Sequence, residues 1–136
     1  MKLFFTRFIK LLSLLFFPGV LFAQEVKDYN LLLNSGKFIP EQNIATLSKS
    51  NDLFQKSLYG NRYYVTIQFS SLPDAAVRNR LSALGIELID YIPNYAYTAS
   101  VPANFDLAAF KTLPARSVVQ FTIVQKTAPD LYKGDI

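Results

Sequence analysis

Two runs of strict alternation, with a helix start and a glycine stop between them, constrain this chain more than any other feature. In YYVTIQF, Tyr63, Val65, Ile67 and Phe69 point to one side of a strand, and Tyr64, Thr66 and Gln68 to the other. In YAYTASV, Tyr95, Tyr97, Ala99 and Val101 take one side, and Ala96, Thr98 and Ser100 the other. Each run therefore has one side made for burial and one that is not.

The residues around these runs supply the remaining elements. Ser71-Leu72-Pro73-Asp74 opens a helix, with Ser71 as the cap and Asp74 in the positive first turn. Val77, Leu81 and Leu84 form one apolar stripe, and Gly85 provides the left-handed stop. Ile86–Ile92 and Tyr95–Val101 pair as a hairpin around Pro93-Asn94. Asn104 or Asp106 caps a short helix through Phe110–Leu113, which Pro114 ends. Val118–Val124 is the last strand, with Val119, Phe121 and Ile123 on one face.

The order strand, helix, strand, strand, helix, strand predicts an α+β, ferredoxin-like fold over residues 63–125. Its four-stranded antiparallel sheet carries both helices on one face and leaves the other uncovered. Tyr63, Val65, Ile67, Phe69, Tyr95, Tyr97, Val119, Phe121 and Ile123 are expected to face the helices. The open face then holds Tyr64, Thr66, Gln68, Ala96, Thr98, Ser100, Gln120 and Thr122. A face meant only for water usually carries Lys and Glu, so a flat, charge-poor one suits docking against another protein. A plain solvated sheet face is the alternative.

Residues 24–62 read as an irregular segment. It offers an edge strand or a hairpin turning at Asn34–Gly36, and then a linker through EQNIATLSKSNDLFQKSLYGN. At the other end, 126–136 is a polar, flexible tail.

At the N-terminus Lys2, Arg7 and Lys10 precede the twelve-residue apolar run Leu11–Phe22, too short for the roughly 20 residues of a bilayer span. With Ala23-Gln24 behind it, residues 1–23 read as a secretory signal peptide cut between Ala23 and Gln24. An uncleaved anchor is the alternative. Cleavage removes three of the 14 basic residues and none of the 10 acidic ones, leaving a net charge of +1. That near-neutral chain, exported to the periplasm or outside the cell, lacks the electrostatic footprint of a nucleic-acid binder. Its contact with a membrane is then limited to the signal peptide.

The chain has no histidine and no cysteine. Ser-His-Asp and Cys-His catalysis, disulfides, lipid anchoring on cysteine and most transition-metal sites are excluded with them. Glu87 and Asp90 lie three positions apart on a strand, where they face opposite sides and read as solvated charges. Tyr95 and Tyr97 resemble a base-stacking platform, but they alternate in step with Val101 and so belong to the core. No catalytic residue, metal or cofactor is expected.

From Tyr63, YYVTIQFSSLPDAAVRNRLSALGIELIDYIPNYAYTASVPANFDL is similar to the region preceding the catalytic domain of secreted subtilisin-like serine peptidases of the Bacteroidetes type. The elements shared are the aromatic first strand ending in QF, the LP helix start, Asp90-Tyr91-Ile92-Pro93-Asn94, Ala96-Tyr97 and Val101-Pro102. LLLNSGKFIPEQNI and APDLYKGDI also resemble that region. The resemblance implies a propeptide-like domain whose sheet face packs on a peptidase catalytic domain, helping it fold or inhibiting it. It also implies a C-terminal tail that enters the cleft. Because the chain reaches Ile136 before any catalytic domain, it is expected to be a stand-alone inhibitor or chaperone, or the stub of a truncated peptidase gene. A secreted structural or adhesion module, binding through the same face, is the alternative.

Overall fold

The computed structural model describes residues 26–126. The expected signal peptide with its Ala23-Gln24 junction, and the tail beyond residue 126, lie outside them. The fold is α+β, and every strand pairing is antiparallel. A hairpin of β1 (Leu31–Leu33) and β2 (Gly36–Phe38) is followed by helix α1 (Asp52–Ser57) and the two-residue strand β3 (Leu58–Tyr59). Next come β4 (Arg62–Phe69), α2 (Ala75–Ala83), β5 (Glu87–Ile92) and β6 (Ala96–Pro102). Helix α3 (Leu107–Lys111), β7 (Ala115–Val119) and the single turn α4 (Ile123–Lys126) complete it.

β4 is the spine of the main sheet. β6 pairs along one edge, with Tyr63 opposite Val101 and Ile67 opposite Tyr97. β3 and β7 share the other edge, and β5 lies outside β6. The alternation of β4 and β6 puts Tyr63, Val65, Ile67, Phe69, Tyr97, Ala99 and Val101 into one core with Leu81, Phe105, Phe110 and Leu113. Aromatic edges meet within it: Phe105 lies 5.8 Å from Phe110, and Phe69 lies 6.2 Å from Tyr97, centroid to centroid.

Local chemistry sets the helix ends. Asp74, not Ser71, caps α2, its carboxylate accepting from Val77 N at 2.8 Å. The helix starts four residues later than Ser71 because Pro73 favours an extended residue before it. At the other end Gly85 adopts φ +72°, Gly85 N donates to Ser82 O and Ile86 N to Leu81 O. This paired closure is a Schellman motif. Asp106, rather than Asn104, caps α3 by accepting from Ala109 N.

Four expectations are corrected. The segment 41–57 is not a linker: Ile44, Leu47 and Phe54 enter the same core, and Phe54 packs 4.8 Å from the Tyr63 ring. Their spacing is loose because they come from a turn at Ile44, the irregular segment at Leu47 and the short helix α1 at Phe54, which share no period. The last strand is Ala115–Val119 rather than Val118–Val124. Val118 faces Ile67 across the ladder and is buried, so Val119 and Phe121 do not belong to the helix-covered face. Adjacent Val118-Val119 fits either phase of an alternation, and a one-residue slip exchanges the faces. Tyr95 lies in the turn before β6, at φ +69°, rather than in the strand.

The fourth correction concerns the face opposite the helices, which is only half open. Residues 27–40, an arm built on the β1–β2 hairpin, lie over one end of it. Gln68 Nε2 donates to Tyr29 O at 2.9 Å, Arg116 Nη1 to Pro40 O at 2.6 Å, and Asn94 Nδ2 to Asn30 O at 2.6 Å. Beyond the arm, the chain passes round the β7 edge. There Asn43 donates to Val118 O at 2.7 Å and accepts from Val118 N at 2.9 Å, as a neighbouring strand would.

Candidate functional site on the sheet face opposite the helices

The arm divides this face into a covered and a free half. In the covered half Gln68 and Ala96 are completely buried, as is Ser117 from β7. The Gln68 amide is well satisfied: Nε2 donates to Tyr29 O and Asn94 O, and Oε1 accepts from Arg116 at 3.0 Å. Arg116 also sits 4.5 Å over the Tyr29 ring. Gln68 and Ala96 are therefore floor residues of the arm rather than open interface. Ser100 is buried as well, because Arg62 lies against it, donating to its hydroxyl and to its carbonyl at 3.1 Å.

The free half is apolar and aromatic. Tyr64 is 46% exposed and Ile89 54%. Tyr59, whose ring meets that of Tyr64 at 6.5 Å, is 80% exposed. Between them Tyr64, Thr66, Ile89, Thr98, Phe121 and Lys126 line a depression of about 230 Å³. Thr66 forms its floor and is itself buried. Gln120 and Phe121 separate it from a wider concavity of about 600 Å³ shared with Asp52, Lys56 and Thr122. Gln120 is tied to the Lys56 carbonyl, and the Thr122 hydroxyl accepts from Gln125 N at the start of α4.

Ile89 reaches this depression by simple alternation: Leu88 stands opposite Ala99 of the core, so Ile89 turns to the Thr98 side. Asp90 N donates to Thr98 Oγ1 at 3.0 Å instead of to a backbone carbonyl. The ladder shifts before Tyr91, and this bulge brings Tyr91 opposite Tyr97 on the core side, where strict alternation from Leu88 would not put it. Of the eight residues expected at an interface, Tyr64, Thr66, Thr98, Gln120 and Thr122 reach the free half or its margin, Thr66 as its buried floor. Tyr59, Ile89, Phe121 and Lys126 were not anticipated there. Tyr59 fell in the supposed linker, and Phe121 was assigned to the core by the slipped register.

The carboxylates of β5 are in structural use. Glu87 lies 3.4 Å from Arg62, and Thr98 faces Asp90 Oδ2 at 3.4 Å. In the arm, the Asn30 backbone amide and then its side chain hold the Asp28 carboxyl below its usual range. Among the described residues no three acidic side chains cluster so as to hold a metal ion. None of their helices is long and apolar enough to cross a membrane.

A family described as a domain of unknown function, DUF8729, matches residues 32–122. The chain belongs to that family. The DUF8729 span begins inside β1 and ends just before α4, so it takes in most of the hairpin of the arm and the whole of the main sheet. No curated protein and no solved structure matches the chain.

Proposed function

We propose that this DUF8729 chain is an exported, non-catalytic docking domain, built like the propeptide of a subtilisin-like serine peptidase. It binds such a peptidase as a folding chaperone or inhibitor, or is the stub of one that did so in cis. The observation that carries the reading is the exposure of Tyr64 and Ile89 around the depression on the free half-face, with Lys126 at its side. An apolar centre with charge at its rim is the composition of a protein–protein contact.

The strand order β7–β4–β6–β5, with α2 and α3 packed into the core on one face, supports a ferredoxin-like arrangement. The shared run from Tyr63 to Leu107 supports the peptidase as the partner. Export rests on the basic flank and short apolar run of residues 1–23. The covered half narrows the contact to Tyr59, Tyr64, Ile89, Thr98 and Phe121.

The test adds the purified chain, residues 24–136, to a subtilisin-like peptidase from the same organism. Lower activity or a higher refolding yield at micromolar concentration is expected. No change in either sinks the peptidase reading, and self-association of the chain by sedimentation then favours a structural or adhesion module.

A further inference from the structure

The arm is fastened to the main sheet without joining it. β1 and β2 form a separate two-stranded sheet and share no ladder with β4, β6 or β7. Every hydrogen bond between arm and sheet or its loops among the described residues passes through a side chain. Gln68, Asn94 and Arg116 donate to arm carbonyls, while Lys27 and Tyr29 donate to Ser70 O.

The apolar hold is confined to a few contacts. Leu31 and Pro40 are fully buried, and ring edges meet at Tyr29–Tyr95, 6.0 Å, and Phe38–Phe121, 6.3 Å, whereas Leu32 and Ile39 are 58% and 57% exposed. Beneath the arm lie Gln68, Ala96 and Ser117, which are small or polar, and the Ser117 hydroxyl has no hydrogen-bond partner there. A segment held by side-chain hydrogen bonds and a few ring edges, with no ladder to the sheet, opens at lower free energy than the strands below. The floor survives such opening, because Gln68 keeps its bonds to Asn94 O and Arg116.

We propose that residues 27–40 are a releasable strap over a latent extension of the docking face. Once the strap leaves, Gln68, Ala96 and Ser117 join Thr66, Thr98 and Tyr64 as one continuous surface. Bound partner and closed strap then compete for it. The extension rests on the docking reading above, whereas release of the strap does not.

The experiment compares amide hydrogen exchange in the intact chain and in Tyr29→Ala, which alters no sheet residue, with Arg116→Met as a second variant. In the unaltered chain the β1–β2 amides should exchange faster than those of β4 and β6. Tyr29→Ala should lower arm protection about tenfold further, with the β4 and β6 rates unchanged. Arm and sheet amides exchanging together in the unaltered chain, or falling together in both variants, overturn the strap. Peptidase inhibition is then measured with the same chains. Stronger inhibition by Tyr29→Ala supports the extension, and equal inhibition despite a released arm overturns it. No inhibition by any form sinks the docking reading and leaves the strap to be judged by exchange alone.

Discussion

Arg116 Nη1 donates to Gln68 Oε1 at 3.0 Å while also donating to the Pro40 carbonyl at 2.6 Å, so two neighbouring strands fasten the arm through one nitrogen. Gln68 is completely buried, and its amide would be orphaned by any apolar sheath around it. The Gln68→Leu variant therefore leaves Tyr29 O, Asn94 O and part of Arg116 without partners. A loss of about 1–3 kcal/mol is expected in urea unfolding, with the first changes at arm resonances.

Gly85 is held by both conformation and space. At φ +72°, an added Cβ would stand 2.9 Å from Pro102 Cγ. Gly85→Ala should cost about 1–3 kcal/mol. Gly60 has φ +59° and nothing within 4 Å of such a Cβ, so Gly60→Ala carries the conformational strain alone, about 1–2 kcal/mol. Thermal unfolding of the pair separates the two contributions.

Asn43 serves Val118 as both donor and acceptor. Replacing it with Ala orphans both backbone groups, at about 1–3 kcal/mol. In Asn43→Asp the ionised carboxylate meets the Val118 carbonyl, which should raise the new group's pKa in the folded state. Stability from the protonated form is present below the unfolded pKa and lost as pH rises through the folded one. The deficit of this variant should therefore shrink on acidification, which denaturant titrations across the carboxylate range would show.

Ile89→Lys and Tyr97→Ala probe the two faces. Ile89 is largely exposed, so the lysine should change stability by no more than about 0.5 kcal/mol, and under the proposed docking function it should weaken peptidase inhibition. Tyr97 is buried between Phe69 and Tyr91, and its truncation should cost about 3–5 kcal/mol. Calorimetry of both variants checks the register, since exchanged outcomes would require the opposite face to be the core.

Asp28 gives the arm a pH dependence. Its carboxyl is held low by the Asn30 amide, so its contribution is present above the ordinary carboxylate range and lost as pH falls through the lowered folded value. The protection factor of the Asn30 amide, corrected for the intrinsic pH dependence of exchange, should fall on acidification, and Asp28→Asn should abolish that response.

The main sheet was legible where two alternating runs had one consistent phase. Tyr63 to Phe69 and Tyr97 to Val101 each had a single apolar side, and the structure buries those sides together. Legibility failed where the pattern admitted two phases or none. Val118-Val119 fits either face, and only pairing with Ile67 and Thr66 decides between them. Tyr91 is turned by a bulge at which Asp90 N bonds the Thr98 hydroxyl, a partner eight residues away. The covering of Gln68 and Ala96 was hidden for another reason. It depends on contacts such as Gln68 with Tyr29, spanning 39 residues, which no local spacing encodes.

The Asn43 side chain also limits how copies of this chain can add to one another. By occupying both outward backbone groups of Val118, it blocks β7 as a template for a further strand, which among the described residues leaves β5 as the long free rim of the main sheet. A body with one such rim can meet a second copy rim to rim by two-fold symmetry, and the association then closes. A continuous ribbon of these sheets, the hazard of a β-rich chain, requires two open rims per copy.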